Sequence, residues 1–270
     1  MKQLIVCLEF IYWSAATLSA QNQLRYSDLR SIGMGENGVT HSLVVNPACL
    51  GLSTSQSIDI NFFNKYNLKE LTTLSAIYAN AKNVFPFGFL ISSFGYDKYR
   101  ETMFRLILSK RIFSRWIIGV SIQYDFLQSE LWEEDVSKLS TDIGILFKCT
   151  DNLLIGLSII DFPSHLFYNE SIDNKDFNYY NLQTGFQYLF INNLLIDVSA
   201  DYEKNGVLRL HAGLEYLIYD CFHVRAGLHT DPLNPSFGLG LDISSFQLNV
   251  AAVYHTQLGI GSGVGLVCFF

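Results

Sequence analysis

Residues 115 to 126 read RWIIGVSIQYDF. Trp116, Ile118, Val120, Ile122, Tyr124 and Phe126 are apolar or aromatic, and Gly119, Ser121, Gln123 and Asp125 between them are small or polar. Ile117 is the one exception. A period of two sorts side chains this way along a β-strand and along no helix. The question is what the apolar side touches: the interior of a soluble protein, or lipid.

The same alternation recurs from about residue 56 to the end. Ile58, Ile60 and Phe62 alternate with Asp59 and Asn61, and Phe104, Leu106 and Leu108 flank Arg105. Ile196, Val198 and Ala200 oppose Asp197, Ser199 and Asp201. The series predicts roughly fourteen strands of about ten residues, the length and even number of a bacterial membrane barrel. The connections are expected to alternate between long or moderately long ones (NKYNLKE, GYDKYRE, LQSELWEEDVSK, DFPSHLFYNESIDNKDF, HTDPLNP and HTQLGIGSG, with YEKNG breaking the trend) and short ones (CTDN, FINN, YDC, ISS). Such barrels have long external loops and short periplasmic turns, which puts both chain ends in the periplasm.

Composition agrees. Of 270 residues 49% are hydrophobic and only 16% charged, and the mean hydropathy is +0.21. A soluble domain carries about 25% charged residues. No internal stretch is long and apolar enough for a spanning helix, so the excess is spread over strands. The net charge of −7, with no cluster of Lys and Arg, excludes nucleic acid as a partner class. Residues 1–20 read as a signal peptide, with Lys2, the apolar run Leu4–Trp13 and small residues up to Ala20. An uncleaved anchor is the alternative. Cys49, Cys149, Cys221 and Cys268 show no metal spacing and read as unpaired small hydrophobes.

An antiparallel soluble sandwich also alternates, so an exported soluble β-protein is the competing fold. Long strands, aromatic residues at both ends of apolar faces (Trp116 and Tyr124, Phe246 and Tyr254) and the terminal Phe270 as a barrel signal favour lipid. The fold class expected is therefore all-β, a transmembrane antiparallel β-barrel at 56–270. A closed sheet of that size would be roughly 25 to 30 Å across, too wide to fill itself with side chains. Residues 21–55 lack the alternation and are expected to form an N-terminal plug, or hatch, in the lumen. Glycines on the polar face (Gly119, Gly144, Gly156, Gly185, Gly213, Gly227, Gly238 and Gly240) would let its backbone approach.

Within that segment Ser31, Gly33, Met34 and Gly35 belong to SIGMG, and Asn46, Pro47 and Ala48 form NPA. With an exported barrel behind them, these motifs resemble the PorV/PorQ group and, more distantly, FadL-type transporters. The resemblance implies a fourteen-stranded barrel with its N-terminal segment tucked inside. The chain departs from the group in being short and in carrying Glu36 where a second glycine is common.

The polar face offers Asp201, Arg209, His211, Glu215, His223, Arg225 and Asp242 as a lumenal wall. Glu215 is expected opposite His223, Arg209 against Asp201 or Glu203, and Arg225 near Asp242. Cross-strand pairs of this kind are ordinary sheet stabilisation, about 0.2–1 kcal/mol each. A metal site on His211, His223 and His229 is the minor alternative. No nucleophile elbow or Ser-His-Asp order is present, so neither an enzyme nor a cofactor is expected. Ile117, Leu146, Leu154, Ile160 and Val253, apolar on the polar face, would offer a place for a hydrophobic ligand. The expected function is a non-enzymatic barrel of the Gram-negative outer membrane that binds or passes a small hydrophobic molecule. The resemblance also implies an alternative, an accessory component of type IX secretion whose partners are secretion-system proteins.

Overall fold

The computed structural model describes residues 28–130, 135–167, 180–191 and 193–270. The expected signal peptide lies outside these residues, as do residues 21–27 of the N-terminal segment, 131–134 of the acidic loop and 168–179.

After residue 55 the described chain is almost entirely strand. The first seven strands are β1 (Gln56–Asn64), β2 (Thr72–Asn80), β3 (Phe87–Tyr96), β4 (Tyr99–Arg111), β5 (Trp116–Ser129), β6 (Val136–Lys148) and β7 (Leu153–Ile160). The short β8 (Ser164–Phe167) and then β9 (Asn181–Ile191), β10 (Leu194–Glu203) and β11 (Leu208–Ile218) follow. The chain ends with β12 (Phe222–His229), β13 (Asn234–Ile243), β14 (Phe246–His255) and β15 (Gly259–Phe269). Fourteen of them form one antiparallel ring, closed by β1 against β15 and by β5 against β6, and β8 is the extra strand. Closure satisfies the backbone groups that an open sheet leaves at its edges.

The side chains decide between lipid and core. Ile60, Phe62, Leu106, Leu108, Ile122, Leu214, Leu239, Val250 and Val264 are exposed on the outer face. Their alternates Asn61, Arg105, Ser121, Asp142, Asp197, Arg225 and Asn249 are buried. Apolar residues outside and polar residues inside is the reverse of a soluble protein, and so large an apolar surface needs hydrocarbon. The chain is a transmembrane barrel. Among the described residues no helix is long and apolar enough to cross a membrane.

Phe270 closes the ring through its backbone. Its N–H donates to the Gln56 carbonyl at 3.0 Å and its carbonyl accepts from Gln56 N–H at 3.3 Å, which completes the seam between β1 and β15. The ring end that contains Gln56 and Phe270 is called the terminal rim below, and the opposite end the far rim.

Three expectations about connections are corrected, and HTQLGIGSG is the first, since β14 runs to His255 and β15 starts at Gly259. GYDKYRE is no long loop, because β3 and β4 pair until Tyr96 faces Tyr99 and leave only Asp97 and Lys98 to turn. The tyrosines and Glu101 extend the sheet instead. DFPSHLFYNESIDNKDF is partly strand as well, since β8 lies inside it.

The wall carries a bulge between β7 and β8, bridged to β6 by Phe162 N–H on the Thr141 carbonyl at 2.8 Å and by Thr141 N–H on the Pro163 carbonyl at 3.1 Å. β7 pairs with β6 as far as Ile159 against Ile143, and β8 resumes with Ser164 against Ser140, so two extra residues sit in between. Asp161 takes φ +61, which bends the chain there, and its N–H donates to Asp142 Oδ1 at 2.9 Å. On its other side β7 pairs with β9 up to Ile160 against Asn181. Among the described residues no strand pairs with the second edge of β8.

Candidate functional site

Residues 28–52 form two short helical turns joined by a loop. Asp28 caps the first, α1 (Leu29–Gly33), by accepting from Ser31 N–H at 2.9 Å. Asn46 caps the second, a 3-10 turn over Pro47–Leu52, by accepting from Ala48 N–H at 3.0 Å. Asn46 is extended, as its position before Pro47 demands, and Pro47 stands at the first position, where its missing N–H costs nothing. Ser31, Met34, Asn46, Ala48 and Leu50 are fully buried. α1 touches β12 to β15, while the 3-10 turn touches β4, β5 and β6 across the ring.

The glycines of the polar face explain how the segment comes so close. A Cβ on Gly227 would run into the backbone of Met34 and Gly35, and one on Gly119 into Pro47 and Ala48. Gly144 faces the Asn46 side chain, Gly156 faces Val39, Gly213 faces Met34, and Gly238 meets Gly33. Of the eight glycines named from sequence, Gly185 and Gly240 are the two crowded by wall atoms alone. Gly35, at φ +79, shows the other use of glycine, and Glu36 follows it at φ +58, where a glycine would be unstrained.

A segment without a sheet partner must find hydrogen bonds elsewhere. Gly35 N–H donates to Ser236 Oγ at 2.8 Å, and its carbonyl meets His211 Nδ1 at 2.8 Å. The Val45 carbonyl accepts from Ser158 Oγ at 2.8 Å, and that of Val44 accepts from the Arg105 guanidinium. Charge reinforces these contacts. Arg30 forks onto Glu215 at 2.8 and 3.0 Å, and Glu215 also holds Arg225 at 2.5 Å. Thr40 Oγ1 donates to Asp197 Oδ2 at 2.5 Å, beside His41 Nδ1 at 3.1 Å. Arg105 also reaches Asp142, at 3.3 Å, and Gln123. Cys49 is buried here among Ala48, Ile117 and Leu146, and burial pushes its thiol well above the usual range.

The wall residues named from sequence are brought together, with the Arg209 pairing as expected and the other two shifted: His223 Nδ1 comes only within 3.9 Å of Glu215. Glu215 stands opposite Arg225, and His223 is paired with Leu217, a slip of two residues, because Tyr219, Asp220 and Cys221 make a longer turn. Arg225 does not meet Asp242. It turns to Glu215 and Asn249, while Asp242 bonds His223 Nε2 at 3.0 Å and accepts from Gln247 at 2.6 Å. Arg209 lies opposite Asp201 and bonds Glu203 at 2.5 Å, as expected. Asp201 also bonds His211 Nε2 at 2.6 Å.

Among the described residues no group of three or more His, Cys, Asp and Glu could hold a metal ion. Ile117, Leu146 and Leu154 pack on Ala48 and Cys49, and Val253 on Leu29 and Ile32, so they hold the segment rather than line open space. Sequence reading missed Arg30, Thr40, His41 and Arg105, whose partners come from distant strands. A cavity of about 170 Å³ remains between the segment and β1, β2, β14 and β15. Leu29, Leu43, Val44, Ile77 and Val267 give it an apolar side, and Asp28, Arg30 and Asp59 a charged one.

No family model matches the sequence, and no curated protein is similar to it. Solved structures are. The deltaS2 mutant of the TodX monoaromatic hydrocarbon channel superposes with a TM-score of 0.67 at 12% identity, over 92% of this chain and 100% of that one. The Pseudomonas putida toluene transporter TodX gives 0.65 at 11% identity, over 92% and 99%. A Pseudomonas aeruginosa FadL homologue gives 0.56 at 10% identity, over 90% and 98%. At such identities the likeness establishes the shared fold.

Proposed function

We propose that this chain is a non-enzymatic barrel of the Gram-negative outer membrane that passes a small hydrophobic molecule, with residues 21–55 as its plug and both termini in the periplasm. The cavity between plug and wall carries the reading. At about 170 Å³ it is the size that suits one small ring, since an apolar cavity of about 150 Å³ takes up benzene. Leu29, Leu43, Val44, Ile77 and Val267 supply apolar contact, beside a polar part of the lining that includes Asp28, Arg30 and Asp59. The likeness to hydrocarbon channels agrees with this reading, and nothing comparable supports the secretion role.

The experiment is uptake of a monoaromatic probe into liposomes holding the purified protein. Passage is expected to increase when residues 21–55 are deleted. Binding is expected to weaken in Val267→Trp, which fills the cavity. A barrel that neither binds nor passes the probe, with or without residues 21–55, overturns the reading.

A further inference from the structure

The outer face of the barrel has a chemical asymmetry that transport does not use. On the outward phase of the described strands only two residues are charged, Arg100 and Lys110, and both belong to β4. Arg100 lies at the far rim and pairs with Asp97. Lys110 lies at the terminal rim, one outward position past Leu108, and its Nζ sits 4.2 Å from the centre of the Phe85 ring.

The turns around Lys110 are unusual. The β2–β3 connection, residues 81–86, reads AKNVFP, and the β4–β5 connection, residues 112–115, reads IFSR. Val84 is 83% exposed, Phe113 69% and Phe85 60%, and Ile112 is exposed beside them. Connections facing water are normally polar, so four large apolar side chains at adjacent tips need a covering phase. Lys82, Lys110 and Arg115 are exposed among them, and neither turn contains an acidic residue, in a chain of net charge −7. The patch continues into the lipid-facing surface through Phe87, which faces Leu108, and through the stacked pair Trp116 and Phe147, 4.4 Å apart.

We propose that residues 81–86 and 112–115, with Lys110, form a seat for anionic phospholipid headgroups at the terminal rim. Val84, Phe85, Ile112 and Phe113 enter the interfacial layer, and Lys82, Lys110 and Arg115 take the phosphate charge. Two observations choose lipid over a docked protein. The patch is continuous with the membrane surface, and Lys110 points along the outward phase rather than away from the rim. Aromatic side chains and cations beside a hydrocarbon belt are what an interface favours.

The test uses the full chain in nanodiscs of phosphatidylcholine with a minor share of phosphatidylglycerol, followed by native mass spectrometry of the lipids retained. The wild type is expected to keep phosphatidylglycerol in preference to phosphatidylcholine. Lys110→Gln and Arg115→Gln should each lower that preference about fivefold. Lys98→Gln removes one charge at the far rim and should change nothing. A wild type with no preference, as a protein-docking patch would give, overturns the proposal, and so does an equal loss in Lys98→Gln. A second measurement needs no charge change: the introduced indole of Phe113→Trp should be quenched by lipids brominated near the headgroup. Quenching by aqueous iodide instead places the tip in water and sinks the idea.

Discussion

Glu215 sits between two guanidinium groups, one from the N-terminal segment and one from the wall, and the two are not equivalent. The Arg225 side chain is 1% exposed and that of Arg30 is 32% exposed. Removing the carboxylate strands Arg225 in the interior, and breaking a buried pair costs about 3–5 kcal/mol. Glu215→Gln is therefore expected to lower the urea-unfolding midpoint in micelles much more than Arg30→Met, which leaves Glu215 bonded to Arg225. Equal losses would show that the segment, not the wall, needs the carboxylate. Cys49 reports on the same region. Its raised pKa keeps the thiol protonated at pH 8, so maleimide should modify Cys149 and Cys221, in terminal-rim turns, well before Cys49. Gly227→Leu forces the Met34–Gly35 backbone off the wall at an overpacking cost of about 1–3 kcal/mol, and should speed Cys49 labelling. Much of this site was legible in the sequence: the polar face gave Glu215, Arg225 and Asp201, and the glycines marked where the segment lies. Beyond the pairing of Arg209, the partners were not legible, because a turn one residue longer or shorter shifts every partner across it. Arg30 and His41 were hidden for another reason. They precede the sheet and carry no periodicity to say which strand they meet.

At the scale of elements, alternation anticipated the fourteen strands of the ring, including the opening stretch that became the core of β5. It failed where the period itself fails. Between Ile160 and Ser164 two extra residues interrupt the pairing with β6, and no pattern of two can anticipate an insertion. Asp161 pays a conformational cost there that can be isolated. Its side chain meets Lys138 at 3.0 Å, which both Asp161→Gly and Asp161→Ala abolish. Only the alanine variant keeps a Cβ at φ +61, so the glycine variant should be the more stable by about 1–2 kcal/mol in urea unfolding. Indistinguishable midpoints would mean that the bend relaxes once the carboxylate is gone.

For the whole molecule, the inverted distribution of side chains governs behaviour in solution. With Leu106, Ile122, Phe186, Leu239 and Val264 all exposed on the outer face, the protein should give a β-sheet circular dichroism spectrum in detergent and precipitate when detergent is removed. A monodisperse, detergent-free preparation would contradict the lipid-facing assignment. The last consequence comes from chain continuity. The 3-10 turn ends at Leu52, and three serine or threonine positions later the chain is already β1, with the Ser55 carbonyl accepting from Ala81 N–H at 3.2 Å. The segment is thus leashed at its C-terminal end and held at Arg30 by side chains alone. A displacement that starts at Arg30 would release Glu215 first, Asp197 next and the Arg105 hook on Val44 last. What leaves the lumen first is decided by covalent connectivity, and what returns last is decided by it too.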